Sequence, residues 1–240
     1  MKKFIFAIFF ALSAISLQAQ TAKPTPSSIP SGVPVKPGTK PVTTTAVKGE
    51  LDPGILSGQI YTHVDLGFDI TFPSSWVIPG IDTEKYWKDK GYELRPKINR
   101  NDPQQAANIR RYEKQVTLLL TAYRSAIGTP DNAVLLISAE DLSTNPKIKD
   151  AVDYFDLMRA QIGTMKLPSD YEYSVTQAEK LGAQQFAYLD ISTAKEKKRL
   201  YATVRNGYAI ILAFTYHQAD DLAMFRRILE EANFSLHRAR

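Results

Sequence analysis

The sequence predicts an α+β fold, in which helices cover the faces of a largely antiparallel sheet. Three observations predict it. Short apolar, β-rich runs recur between residues 55 and 216, and most neighbours are separated only by turn residues, as hairpins are. Asn206-Gly207 sits between two such runs and suits a two-residue hairpin turn, whose central positions both need positive φ. Two further segments carry apolar residues at helical spacing. With nearly all strand neighbours joined by hairpins, the helices must lie on the sheet faces.

In chain order, Ile60-Tyr61-Thr62-His63-Val64 and Phe68-Asp69-Ile70-Thr71-Phe72 form the first hairpin, joined by Asp65-Leu66-Gly67. Alternation puts Phe68, Ile70 and Phe72 on one face, with Asp69 and Thr71 on the other. Pro73-Ser74-Ser75 ends the strand, and Trp76 follows. Residues 79–115 are polar and irregular and read as an inserted arm, with a helix signal from Gln104 to Lys114. Val116 to Tyr123 and Ala133 to Ser138 are strands flanking Gly128-Thr129-Pro130-Asp131-Asn132. Their continuous apolar runs indicate cover on both faces.

A long helix is then predicted, with Asn145 as N-cap, Pro146 at its first position and Pro168 as its stop. Its inward face is Ile148, Val152, Phe155, Met158, Ile162 and Met165. Four strands follow, at Tyr171–Thr176, Gln185–Ile191, Leu200–Arg205 and Tyr208–Tyr216. A closing helix from Asp220 to Ala232 turns Leu222, Phe225, Ile228 and Leu229 inward.

The first residues read as a secretory signal, 1–19. Lys2 and Lys3 precede an apolar run from Phe4, and Ala19 offers a small residue for cleavage. No later stretch approaches a membrane span, so export to the periplasm or the extracellular space is expected, with no transmembrane span after cleavage. Retention of the signal as an N-terminal anchor is the alternative. Residues 20–54 hold Pro24, Pro26, Pro30, Pro34, Pro37, Pro41 and Pro53 among Thr, Ser and Lys, and read as a disordered tether. Residues 55–240 are then expected to form a single domain.

The net charge of +5 invites a nucleic-acid reading. Residues 1–50 hold six lysines against Glu50 alone, and residues 51–240 are balanced at 24 basic and 24 acidic side chains. The basic excess therefore belongs to the signal and tether, and no nucleic-acid partner is expected. The run Lys195-Glu196-Lys197-Lys198-Arg199 reads as a solvated strand end that discourages edge pairing, with a phosphate-binding patch as the alternative. Without cysteine the chain has no disulfide, thiolate metal site or cysteine nucleophile.

The segment Gly67-Phe68-Asp69-Ile70-Thr71-Phe72-Pro73-Ser74-Ser75-Trp76 resembles the opening pattern of the PsbP-like family. That group includes photosystem II accessory proteins, Ran-binding Mog-type proteins and DcrB-like envelope proteins. The later order is similar too: a central helix, a meander with Gly207-Tyr208 at a turn, and a closing helix ending in Asn233-Phe234-Ser235. The resemblance spans residues 59–236 and implies an αβα sandwich with a mainly non-enzymatic accessory or binding role. The arm at 79–115 and the absence of the lipoprotein members' cysteine depart from the pattern. No motif carries over a metal, cofactor or partner site.

Residues of chemical interest each have a structural explanation beside the functional one. Trp76 offers a stacking platform, or a lid on the core edge with a wet indole N–H. His217 precedes Asp220 and Asp221, which suits a metal site or, more simply, acids at the start of the last helix. His63 is expected at an exposed or edge position, and His237 in the tail. Glu140-Asp141 ends a buried-looking strand, a place where sites occur, although paired carboxylates at a loop start are common by default. Asn233-Phe234-Ser235 matches a glycosylation sequon at a helix end. Hydrolase, phosphate-loop and dinucleotide motifs are absent. No catalytic, metal or cofactor residue is therefore assigned. The first expectation is an exported, non-catalytic accessory or binding protein with a protein partner in the cell envelope. The alternative is a metal-dependent or hydrolytic envelope enzyme using His217 with Asp220, Asp221 or Glu140.

Overall fold

The alternation at Phe68, Ile70 and Phe72 has the expected consequence, because all three are buried while Asp69 and Thr71 face outward. In the computed structural model, residues 51–81, 115–162, 170–194 and 196–235 are described. The expected signal, most of the expected tether and arm, the helix expected at 104–114, Met165, Pro168, Lys195 and His237 lie outside them.

Strands β1 (Ile55–Ser57), β2 (Ile60–His63) and β3 (Phe68–Thr71) form a small antiparallel sheet. The sequence reading missed β1 and assigned residues 51–54 to the tether. Instead Leu51 packs against the core, and the Tyr61 hydroxyl donates to the Pro53 carbonyl at 2.7 Å. The stem of the tether is thus part of the body.

The larger sheet holds β4 (Val116–Tyr123), β5 (Val134–Asp141), β6 (Glu172–Tyr173), β7 (Gln177–Leu181), β8 (Gln184–Ser192), β9 (Lys197–Arg205) and β10 (Tyr208–Tyr216). Its order is β4-β5-β10-β9-β8-β6, with β7 also on β8, and every pairing is antiparallel. Asn206 and Gly207 have φ of 51° and 80°, the left-handed pair that the β9–β10 turn demands. A bulge between Leu118 and Leu120 turns both Leu119 and Leu120 toward one core, which explains three consecutive leucines.

Helix α1 (Ala151–Ile162) covers one face of this sheet, and α2 (Ala219–Glu231) lies on the other beside the β1–β3 sheet. The arrangement is α+β, a sheet with helices on both sides. The beginning of α1 corrects the sequence reading. Asn145 and Pro146 lie in a preceding turn, closed by the Ile148 amide on the Asn145 carbonyl at 3.1 Å. Asp150 is the cap, its Oδ1 accepting from the amides of Val152 and Asp153 at 2.9 Å.

The inward face is as expected at Ile148, Phe155, Met158 and Ile162, and departs from the reading at Val152. Val152 is 38% exposed, whereas Tyr154 and Phe155 are fully buried together with Met158 and Ile162. Ala187, Ala202, Ala209 and Ala213 lie in the same core, where their small side chains leave room for the helix aromatics. On the other face Phe225 stacks on Phe214 with centroids 4.3 Å apart, and Ile228 and Leu229 are buried beside it. Leu222 is only partly buried.

Candidate functional site

The loop after β4 and the start of α2 together enclose a cleft of about 240 Å³. Asn132 shapes the loop: its Oδ1 accepts from the Ser125 amide at 2.9 Å and its Nδ2 donates to the Ser125 carbonyl at 3.0 Å. Asp221, buried at 2% exposure, reaches across to an ion pair with Arg124. Its Oδ2 accepts from the amides of Gln218 at 3.0 Å and His217 at 3.3 Å, as an acid near the positive end of a helix is placed to do. Both Asp221 oxygens are therefore engaged in structure. Asp220 is exposed. His217 Nδ1 lies 3.7 Å from Asp131 Oδ1, beyond hydrogen-bond distance.

Glu140 belongs to a different place. As the sequence indicated, Glu140-Asp141 ends a buried strand: Glu140 is the last residue but one of β5, with 1% exposure. In register it lies between Val116 and Ala209, and Ala209 belongs to the core under α1. The Tyr154 hydroxyl donates to Glu140 Oε2 at 2.8 Å. Burial pushes its carboxyl up to about 7, and the Tyr154 hydrogen bond only partly opposes that shift. Glu140 stands opposite the start of β10, whereas His217 follows the end of that strand. The separation is roughly 25 Å of extended chain at about 3.3 Å per residue. The set imagined for an enzyme is therefore divided: Asp221 is spent on the α2 terminus, and Glu140 is on the opposite face of the sheet. Catalytic groups must share a cleft, and Glu140 shares none with His217 and Asp221. Among the described residues, no three His, Asp or Glu side chains gather as metal ligands.

Other candidates are also relocated. Trp76 is 2% exposed and packs on Phe72 at 5.7 Å. Its Nε1 is buried without a hydrogen-bond partner, so the indole is neither a platform nor wet. His63 is buried at 1% and not at an exposed edge, because β2 turns it inward beside Tyr61 and Phe68. Asn233 of the sequon pairs its backbone with Asp69 and donates from Nδ2 to Asp69 Oδ2 at 3.1 Å, tying the C-terminal segment to β3.

The basic run corrects the expectation most clearly. β9 lies between β10 and β8, so it is an interior strand that needs no protection from edge pairing. Lys198 is 6% exposed and pairs with Glu196 at 2.8 Å. Arg199 makes a bidentate contact with Asp190, both distances being 2.7 Å, and lies 4.3 Å above the Tyr188 ring. Burial works against its charge, but Asp190 and Tyr201 outweigh it and hold the guanidinium firmly protonated. The Tyr201 hydroxyl donates to Glu179 at 2.9 Å, and the Tyr188 hydroxyl to Gln177 at 2.6 Å. Tyr216 stacks on Phe214 at 5.8 Å, at the border of the region packed by α2.

Tyr188, Asp190 and Tyr216 remain half-buried at this corner. Sequence reasoning missed the group because its members come from four strands. The available signal was the alternation of Phe186, Tyr188 and Asp190, which puts an aromatic and an acid on one face.

No protein-family model matches the chain, and no curated protein matches it. Solved structures similar to it include the following two. One is the crystal structure of LpqN, involved in cell envelope biogenesis of Mycobacterium tuberculosis. It has 12% identity and a TM-score of 0.36, over 70% of this chain and 83% of that one. The other is the solution structure of cyanobacterial PsbP from Synechocystis. It has 12% identity and a TM-score of 0.39, over 78% of this chain and 98% of that one.

Proposed function

We propose that this chain is an exported, non-catalytic accessory or binding protein that engages a protein partner in the cell envelope. The observation that carries this reading is the corner formed by Tyr188, Asp190, Arg199 and Tyr216. Tyrosine and arginine are the side chains that recur as anchors of protein interfaces. Here the Asp190 fork and the Tyr188 ring hold Arg199 before any partner arrives, so little side-chain entropy remains to be lost on docking. The tether, with its recurrent prolines, supports the reading as a spacer between the envelope and the body.

The test is cross-linking of the full chain in its own cell envelope, comparing wild type with Tyr188→Ala/Tyr216→Ala and with Val152→Ala on the opposite face. The proposal expects one protein captured by wild type and Val152→Ala and lost from the double variant. Capture unchanged by the double variant would remove the corner from the interface. Loss on deleting residues 20–50 alone would move the function to the tether.

A further inference from the structure

The ring of His63 is placed where its neutral form is favoured. Its Nδ1 accepts a hydrogen bond from the Leu66 amide at 3.3 Å, which assigns the proton of the neutral ring to Nε2. Nε2 is buried and has no hydrogen-bond partner among the described residues. The ring is stacked on Phe68 at 5.9 Å and edge-on to Tyr61 at 6.4 Å. Adding a proton at Nδ1 would set one N–H against another, because Leu66 is buried and its amide has that nitrogen as acceptor.

The turn that would be disturbed connects two layers. The Gly67 amide closes it on the carbonyls of His63 and Val64 at 2.9 and 3.1 Å. Asn206 Nδ2, at the β9–β10 turn, donates to the Asp65 carbonyl at 2.8 Å. Beyond the turn, Phe68 stacks on Phe234 at 5.4 Å, and Asp69 and Asn233 exchange backbone hydrogen bonds. The small sheet is therefore held to the large one through the two segments that flank His63.

We infer that His63 is a proton-operated latch: protonating its buried ring opens the turn at residues 64–67 and loosens β1–β3 from the β9–β10 hairpin. The charged and titratable groups around the ring are few. Asp52, from the stem of the tether, and Asp65, from the turn, favour the charged ring through their carboxylates, as does the Asp52 backbone carbonyl. Tyr61 faces the ring from β2, and burial holds its hydroxyl protonated. Arg205, on β9, is engaged by the Phe234 carbonyl. Burial outweighs the carboxylates and holds the imidazole below its ordinary range. The neutral ring thus favours the closed turn above about pH 6.5. That preference is lost as pH falls from there toward the closed-state value. The latch concerns how the stem of the tether is attached to the body, and it does not depend on the Tyr188–Arg199 corner.

The test is amide hydrogen exchange on the full chain at pH 7.5, 6.5 and 5.5, with rates corrected for intrinsic exchange. Opening of residues 60–70 is expected to rise by up to about tenfold between pH 7.5 and 5.5, while β9 and β10 stay protected. His63→Gln keeps an acceptor for the Leu66 amide, does not titrate in this range, and is expected to abolish the rise. A flat profile in the wild type, an equal rise in β9–β10, or the same rise in His63→Gln would overturn the inference. If His63→Gln does not fold, the wild-type ring is titrated by NMR. A midpoint below 6.5 that coincides with loss of the Leu66 amide signal is expected, and a midpoint at or above 6.5 overturns the latch.

Discussion

Replacing Glu140 by glutamine should remove a pH dependence from the stability of this protein. The carboxyl is buried in β5, under Tyr154 and beside Ala209, and its value is raised from 4.5 to about 7. Between these two values the folded chain holds a proton that the unfolded chain releases. Stability is therefore greatest below about pH 4.5 with respect to this group, and it is lost as pH rises through about 7. At about 1.4 kcal/mol per pH unit, the loss amounts to about 3 kcal/mol once both states are ionised. Glutamine retains an acceptor for the Tyr154 hydroxyl and carries no proton to lose.

The assay is urea unfolding of wild type and Glu140→Gln at pH 5, 6, 7 and 8, followed through the difference between the two proteins. His63 slopes the other way in part of this range, and taking the difference removes it, since both proteins contain it. Glu140→Gln should gain about 2–3 kcal/mol on the wild type between pH 5 and 8. A difference constant to within about 0.5 kcal/mol across that range would show that Glu140 is ionised and solvated in the fold.

Two other substitutions test the packing. Phe155→Ala should cost about 3–5 kcal/mol in denaturant titration, since the ring is fully buried, while Val152→Ala on the same helix should stay within about 0.5 kcal/mol. Equal losses would return Val152 to the inward face. Gly182→Ala should lower the thermal midpoint by several degrees, because φ is +58° and a Cβ would stand 2.4 Å from the Glu230 carbonyl oxygen, joining β7 to the end of α2. An unchanged midpoint would mean that this contact yields without cost.

The local code of the chain was enough for its hairpins. Phe68, Ile70 and Phe72 alternate, Asn206-Gly207 accepts two positive φ values, and Leu222 to Leu229 repeat at helical spacing. Each is a property of neighbouring residues, and each appears in the fold as expected. Elsewhere distant contacts overrode the local signal. Asn145-Pro146 reads as the start of α1, but the helix is capped by Asp150, and that later start leaves Tyr154 facing Glu140. His63 looked like an edge residue until β1 and the turn at residues 64–67 enclosed it.

Arg199 and Asp190 are nine positions apart in the chain, and they meet because β8 and β9 pair in a register that puts them opposite each other. Asp221 and Arg124 meet only because α2 begins at the end of β10, near the loop that follows β4. The local pattern fixes which face of an element is apolar. Register and helix placement decide which polar side chains become neighbours, and those depend on the packing of the whole core. The fold class was accordingly legible from residues 55–232, whereas the partners of Glu140, His63, Arg199 and Asp221 emerged only once the strands were paired.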